Sequence, residues 1–430
     1  MKKSSFFFFI FLFTTIIYGI IELRYGLFTR PFRIRNYAAI GFLITASGLI
    51  HKKRKGTLSL PQYFSRLILG NSGRPDRIVY MDYLRVLAAV LVVTVHVMEY
   101  TGSHLAPHTP AWEIITMGSS LFCACNLLFM MISGALLLGA ETESLASFYK
   151  KRFLKVLIPC FLYYLFYCFY AYGIHAFLPS GWPKLIREFT ANSNGLTPHF
   201  WLIHVILMFY LGAPVFSAAM KHMSERMLAS LAVLIFILHG LFTYMPYLQI
   251  HFLTASFLAS WESIFILGYF CTTDTAMKYY RLILAGGWLS VLFILFSVHS
   301  IEDFAPLIYN NAPPMLFLAC SVFLFFRKHR DILFSRIPPL LAALGNYSFS
   351  ILLIHWAILY GIVEKRLGIN GLSFELLGGI PLSVFLTLFI SMAFAIIYDN
   401  TVVLCADTLI RFLLKKLDQG ILWMKRHVSD

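Results

Sequence analysis

One apolar stretch, RIVYMDYLRVLAAVLVVTVHVMEY, is interrupted by Asp82, Arg85, His96 and Glu99. A charge held at mid-bilayer costs at least about 2.5 kcal/mol, so four ionisable side chains in one span need a reason to be there. On a helix of 3.6 residues per turn, the step from Arg85 to His96 is close to three whole turns, a rise of about 16 Å on nearly the same face. Asp82 falls one turn before Arg85 and Glu99 one turn after His96, which makes a single polar stripe. A guanidinium in such a stripe can hold a phosphate or carboxylate, and an imidazole can take a proton from a hydroxyl near neutral pH. Asp82 can orient Arg85, and Glu99 can raise the basicity of His96 through a hydrogen bond, as in a catalytic triad. The competing reading is a satisfied stripe that only holds helices together.

The elements that must position this stripe are membrane helices. The chain has 430 residues, 59% hydrophobic and 13% charged, where soluble domains carry roughly 25% charge. Apolar runs recur from end to end, each near the ~20 residues that cross a hydrocarbon layer. They lack the alternation of a transmembrane barrel, so the expected fold is an all-α integral membrane protein. Ten core spans are expected at about 78–101, 114–139, 153–177, 200–220, 227–245, 253–271, 281–299, 312–326, 341–363 and 378–406. One or two extra hydrophobic helices precede them, in MKKSSFFFFIFLFTTIIYGIIELR and in Tyr37 to Ile50. The first looks like an uncleaved anchor rather than a signal peptide, because no convincing small-residue cleavage site follows it. The expected organisation is an N-terminal appendage and basic linker (1–75), a transmembrane core (76–410) and a basic tail (411–430), which is amphipathic and suited to a membrane surface.

The net charge of +15 is distributed among short loops rather than in a stripe or arm, which argues against a nucleic-acid partner. Loops on one side of the core together with the C-terminal tail carry seventeen Lys and Arg, among them Lys150, Lys151, Arg152 and Lys155, against four on the other side. By the positive-inside rule the rich side is cytoplasmic, with both ends of the core inside. The arginines at 24, 30, 33 and 35 depart from that pattern. The seven cysteines sit within or at the ends of apolar runs and suggest no disulfide framework. Cys123 and Cys125 are too close along a helix to share a face, and no metal site is expected.

The sequence resembles membrane acyltransferase family three, whose members O-acetylate bacterial surface polysaccharides. The likeness rests on Arg85 and His96 with ten residues between them; on FMMISGALL (Phe129 to Leu137); on the basic loop FYKKRFLKVLIP (Phe148 to Pro159); on HFWLIHVILMFYLGAPV (His199 to Val215); and on LGNYSFSILLIH (Leu344 to His355). Ala135 and Leu353 stand where the family usually has Tyr. The resemblance covers the core and not residues 1–75. It implies acetyl-CoA as the donor from the cytoplasmic side, with Arg85, His96 and Arg152 important.

Other segments agree with that expectation or have a plain packing role. The cluster containing Lys151 and Arg152 can hold the phosphates of coenzyme A, or equally the headgroups of inner-leaflet lipids. Ser133 and Gly134 offer substrate contact or close helix approach. His355 is either a helix-to-helix hydrogen bond or a second proton handler. Trp201, with His199 and His204, sits where an acceptor could bind or where aromatic residues mark the membrane interface. The expected activity is therefore transfer of an acetyl group to a hydroxyl of a glycan or lipid-linked sugar in the bacterial inner membrane. The rival is a secondary transporter or glycolipid exporter using the charged stripe as an ion path. The sequence leaves open whether the chain forms a homo-oligomer.

Overall fold

The computed structural model describes residues 34–55, 60–69, 77–139, 144–173, 177, 179–190, 195–250, 258–309 and 311–427. Its helices are α1 (Ile34–Lys55), α2 (Leu60–Leu69), α3 (Val79–Gly102), α4 (Pro110–Phe122), α5 (Ala124–Leu138), α6 (Leu145–Arg152), α7 (Ile158–Tyr172), α8 (Trp182–Thr190), α9 (Trp201–His222) and α10 (Glu225–Tyr244). They continue as α11 (Trp261–Phe270), α12 (Asp274–Lys278), α13 (Tyr280–Ser300), α14 (Ala305–Ile308), α15 (Pro313–Lys328), α16 (Pro339–Ile358), α17 (Glu375–Tyr398) and α18 (Leu404–His427). No strand occurs among the described residues. Nine helical stretches among them are long and apolar enough to cross a bilayer, so the chain is an all-α integral membrane protein.

Nine of the ten expected core spans coincide with these stretches. The sixth, expected over 253–271, is described from residue 258, and its helix α11 has only ten residues. The apolar run at 1–24 lies outside the described residues, whereas Tyr37 to Ile50 falls within α1. Helix starts follow local chemistry. The hydroxyls of Thr109, Ser224 and Thr273 accept from the backbone N–H groups of Trp112, Met227 and Ala276, which satisfies donors that a helix start leaves open.

The chain forms two compact units. The larger comprises residues 72–151 and 198–392 and contains the charged stripe. Its tightest crossing is between α5 and α11. A Cβ at Gly134 would lie 1.8 Å from the Phe265 carbonyl oxygen, and one at Gly268 would lie 2.1 Å from that of Met131. Only glycine lets the two backbones approach so closely, the small-residue packing that membrane helices use. On α13, Gly287 admits Ser321 of α15 in the same way, and the Ser321 hydroxyl donates to the Ile283 carbonyl at 2.7 Å. In the smaller unit, residues 1–71, 152–197 and 393–430, the Tyr163 hydroxyl donates to Asp399 at 2.9 Å. The Ser47 hydroxyl of α1 donates to the Asn400 carbonyl at 2.6 Å. Asp399 and Asn400 begin a π-helical turn, Asp399–Val403, so α1 is bonded to a widened segment of the last span.

Candidate functional site

All four charged residues of the stripe lie on α3 in the order the 3.6-residue period gives. At its start Asp82 is buried and accepts from two guanidinium groups, Arg77 Nε at 2.5 Å and Arg85 Nη1 at 2.6 Å. One carboxylate between two arginines leaves a net positive charge. The Arg77 Nη2 atom is buried and has no hydrogen-bond partner among the described residues, so this cluster holds an unused donor.

Three turns further along, His96 Nδ1 lies 3.2 Å from Glu99 Oε2. A carboxylate only accepts, so Nδ1 carries the hydrogen and the lone pair of a neutral imidazole is on Nε2. The His96 ring stacks on His355 with centroids 5.4 Å apart and meets the edge of Trp356 at 5.1 Å. His199 in turn lies parallel to Trp356 at 5.7 Å and edge-on to His355 at 5.0 Å. The imidazole is held by two neighbouring rings of α16, which fixes its plane.

His96 and Glu99 line a cavity of about 440 Å³. The other walls are Asn126 of α5, His199 and Trp201 at the start of α9, Trp261 at the start of α11, Tyr309 after α14, and Trp356 of α16. Two polar latches hold these walls. His239 of α10 donates from Nδ1 to the Asn311 carbonyl at 2.6 Å, and its Nε2 lies 2.6 Å from the Ser263 hydroxyl. This joins the turn containing Tyr309 to the first turn of α11. The Tyr309 hydroxyl lies 2.9 Å from that of Ser120, which adds α4.

The fold therefore brings His96, Glu99 and Trp201 to one cavity, with His355 stacked behind His96. Asp82 and Arg85 are at the other end of α3 and are not among the cavity's walls. On the face joining them to His96, Val92 lines the cavity, and Ala88 and Ala89, both buried, stand between it and Arg85. His355 meets other segments by ring contact and not by a hydrogen bond from its own ring. Its Nδ1 lies 2.9 Å from the Leu352 carbonyl and 3.2 Å from that of Ile351, both on its own helix. The bridging bond comes instead from His199, whose Nε2 donates to the Leu353 carbonyl at 3.1 Å. The Ser133 hydroxyl donates to the Phe129 carbonyl at 3.0 Å, within α5, and does not line the cavity. Lys151 is exposed and Arg152 half-buried at the end of α6, where the π-helical turn Phe153–Leu157 begins. Among the described residues no cluster of His, Cys, Asp and Glu is arranged to hold a metal ion.

Sequence reasoning missed Arg77, Asn126, His239, Trp261 and Tyr309. Arg77 precedes the helix and reads as an ordinary flanking charge. The others belong to no charge pattern or spacing, so nothing short of the fold sets them apart from interfacial or packing residues.

A family model for acyltransferase family 3, described as an acyltransferase domain, matches residues 78–397. No curated protein and no solved structure matches the chain.

Proposed function

The chain belongs to acyltransferase family 3, and from that premise we propose that it moves an acetyl group from acetyl-CoA to a hydroxyl of a cell-surface polysaccharide or glycolipid. The observation that carries this reading is the Glu99–His96 pair at the wall of a cavity. With the Nδ1 hydrogen held by Glu99, Nε2 is the atom that takes the acceptor's proton as the hydroxyl oxygen attacks the thioester carbonyl. The new C–O bond forms and the C–S bond breaks. The thiolate leaves and recovers a proton from the imidazolium, which returns His96 to its starting state.

The donor's anionic end fits the other end of α3. Arg77 and Arg85 share one carboxylate, and the remaining guanidinium hydrogens suit a phosphate. An extended pantetheine arm would run along α3 past Ala89 toward His96. Since Ala89 is buried, the thioester's passage requires the helices around it to part, a motion of the gating kind. By the distribution of Lys and Arg, the Arg85 end is proposed to face the cytoplasm of a bacterial inner membrane and the cavity end the outer side.

The test uses the full chain in membranes with acetyl-CoA labelled in its acetyl group and an extract of envelope glycolipid as acceptor. Transfer of label with release of free thiol is expected, and His96→Ala should abolish it while remaining folded and still binding coenzyme A. Wild-type transfer by His96→Ala removes that residue from the mechanism. Ion-coupled uptake of solute without coenzyme A binding would favour transport instead.

A further inference from the structure

We propose that the cavity beside His96 is a saccharide site in which Trp201 and Trp261 form the platform for the acceptor's sugar ring. This rests on the acyl-transfer reading only for the word acceptor; binding of a sugar there is a separate claim. Tryptophans at helix ends commonly mark the membrane interface, and Trp182, 58% exposed at the start of α8, fits that role. Trp201, Trp261 and Trp356 behave differently, since they are only partly exposed and turn onto one shared cavity. The Trp201 and Trp261 rings are 5.1 Å apart and inclined at 52°, which forms an open wedge rather than a closed stack.

A pyranose has one requirement that such a wall meets and a lipid chain does not. Its C–H face packs against an aromatic face, while its hydroxyls need polar partners around the rim. The cavity supplies both: the Trp201 and Trp261 indoles line it together with the Asn126 amide, the Glu99 carboxylate and the His96 imidazole. An acyl chain in the same place would leave those groups facing hydrocarbon, at a cost for each. The volume of about 440 Å³ is at the small end for ligand pockets. It suits one or two sugar units rather than a length of polymer. Trp261 is also held, because the Ser263 hydroxyl in the turn that carries it lies 2.6 Å from His239 Nε2. A platform fixed in this way loses little freedom when a ring settles on it.

The experiment uses the full chain in detergent without any acyl donor. The probes are methyl glycosides of glucose, galactose, N-acetylglucosamine and N-acetylgalactosamine, followed by saturation-transfer NMR. At least one should bind saturably. Trp201→Ala and Trp261→Ala should each weaken it by about tenfold or more, and Trp261→Phe, which keeps an aromatic face, by only about threefold. Trp288→Ala should bind as the wild type does. If Trp261→Ala does not fold, Trp261→Leu substitutes for it, with the same loss expected. The proposal is overturned if no glycoside binds saturably, or if the variants at 201 and 261 keep wild-type affinity. Should glycosides bind with this pattern while no acetyl is transferred to any envelope glycan, the acyl-transfer reading falls and the saccharide site stands. Transfer by the wild type with no effect of either tryptophan on glycoside binding removes the platform and leaves the acyl-transfer reading in place.

Discussion

Gly134→Ala separates a packing role for the Ser133–Gly134 segment from a role in binding substrate. The added Cβ would lie 1.8 Å from the Phe265 carbonyl oxygen, and contacts under 3.0 Å essentially do not occur. The two helices must therefore part by about 1.2 Å, the difference between those distances. The obstructing atoms belong to backbone, which cannot swing aside as a side chain could. The cost therefore falls toward the upper part of the overpacking range, about 2–3 kcal/mol. Separation also moves Asn126 of α5 away from Trp261 of α11, so the cavity widens and transfer should fall together with stability. Ser133→Ala removes only a hydroxyl bonded within its own helix, and transfer should stay within about twofold of wild type. Detergent-solubilised protein is heated in steps and the surviving monodisperse fraction is read by size exclusion, alongside the acetyl-transfer assay. A Gly134→Ala protein as heat-resistant and active as the wild type would refute the packing argument. Loss of transfer in Ser133→Ala at unchanged heat resistance would make that hydroxyl a substrate contact.

Three further outcomes follow from the geometry. Asp82→Asn removes the carboxylate that fixes Arg77 and Arg85, so the KM for acetyl-CoA should rise about tenfold with kcat little changed; an unchanged KM with a collapsed kcat would place Asp82 at the reacting atoms. His239→Ala leaves the Asn311 carbonyl and Ser263 hydroxyl without their shared partner and should lower stability by about 2–3 kcal/mol. An unaltered thermal midpoint would show that this latch holds nothing. Ala89→Phe fills a buried position between Arg85 and the cavity, so coenzyme A binding should persist while transfer drops by about tenfold or more; full transfer would route the thioester elsewhere.

The fold was largely legible because lipid leaves few options: a long apolar run must be a helix, and nine of the ten expected spans are found as such. The short α11 was less so, since hydropathy continues upstream of Trp261 while its helix starts there. The π-helical turns at Phe153, Leu359 and Asp399 were not readable at all, because such widening depends on neighbours from distant segments. Within the site, Asp82, Arg85, His96 and Glu99 stood out because charge is expensive in a span. Neutral partners carry no such mark. Asn126, Tyr309 and Trp261 become a site only where α5, the turn after α14 and the start of α11 converge on His96. The same limit explains His355, whose ring the sequence could place in a span but not against another imidazole.

The central claim, that His96 at its cavity serves as the base in transfer of an acetyl group to a glycan hydroxyl, is tested most directly by mass spectrometry of envelope glycans. Three strains are compared, one with the intact gene, one lacking it and one carrying His96→Ala at equal protein level. The intact gene should add about 42 Da per modified sugar, the gain when acetyl replaces hydroxyl hydrogen, and the other two strains should lack it. Acetylated glycan at the wild-type level in the His96→Ala strain would contradict the account.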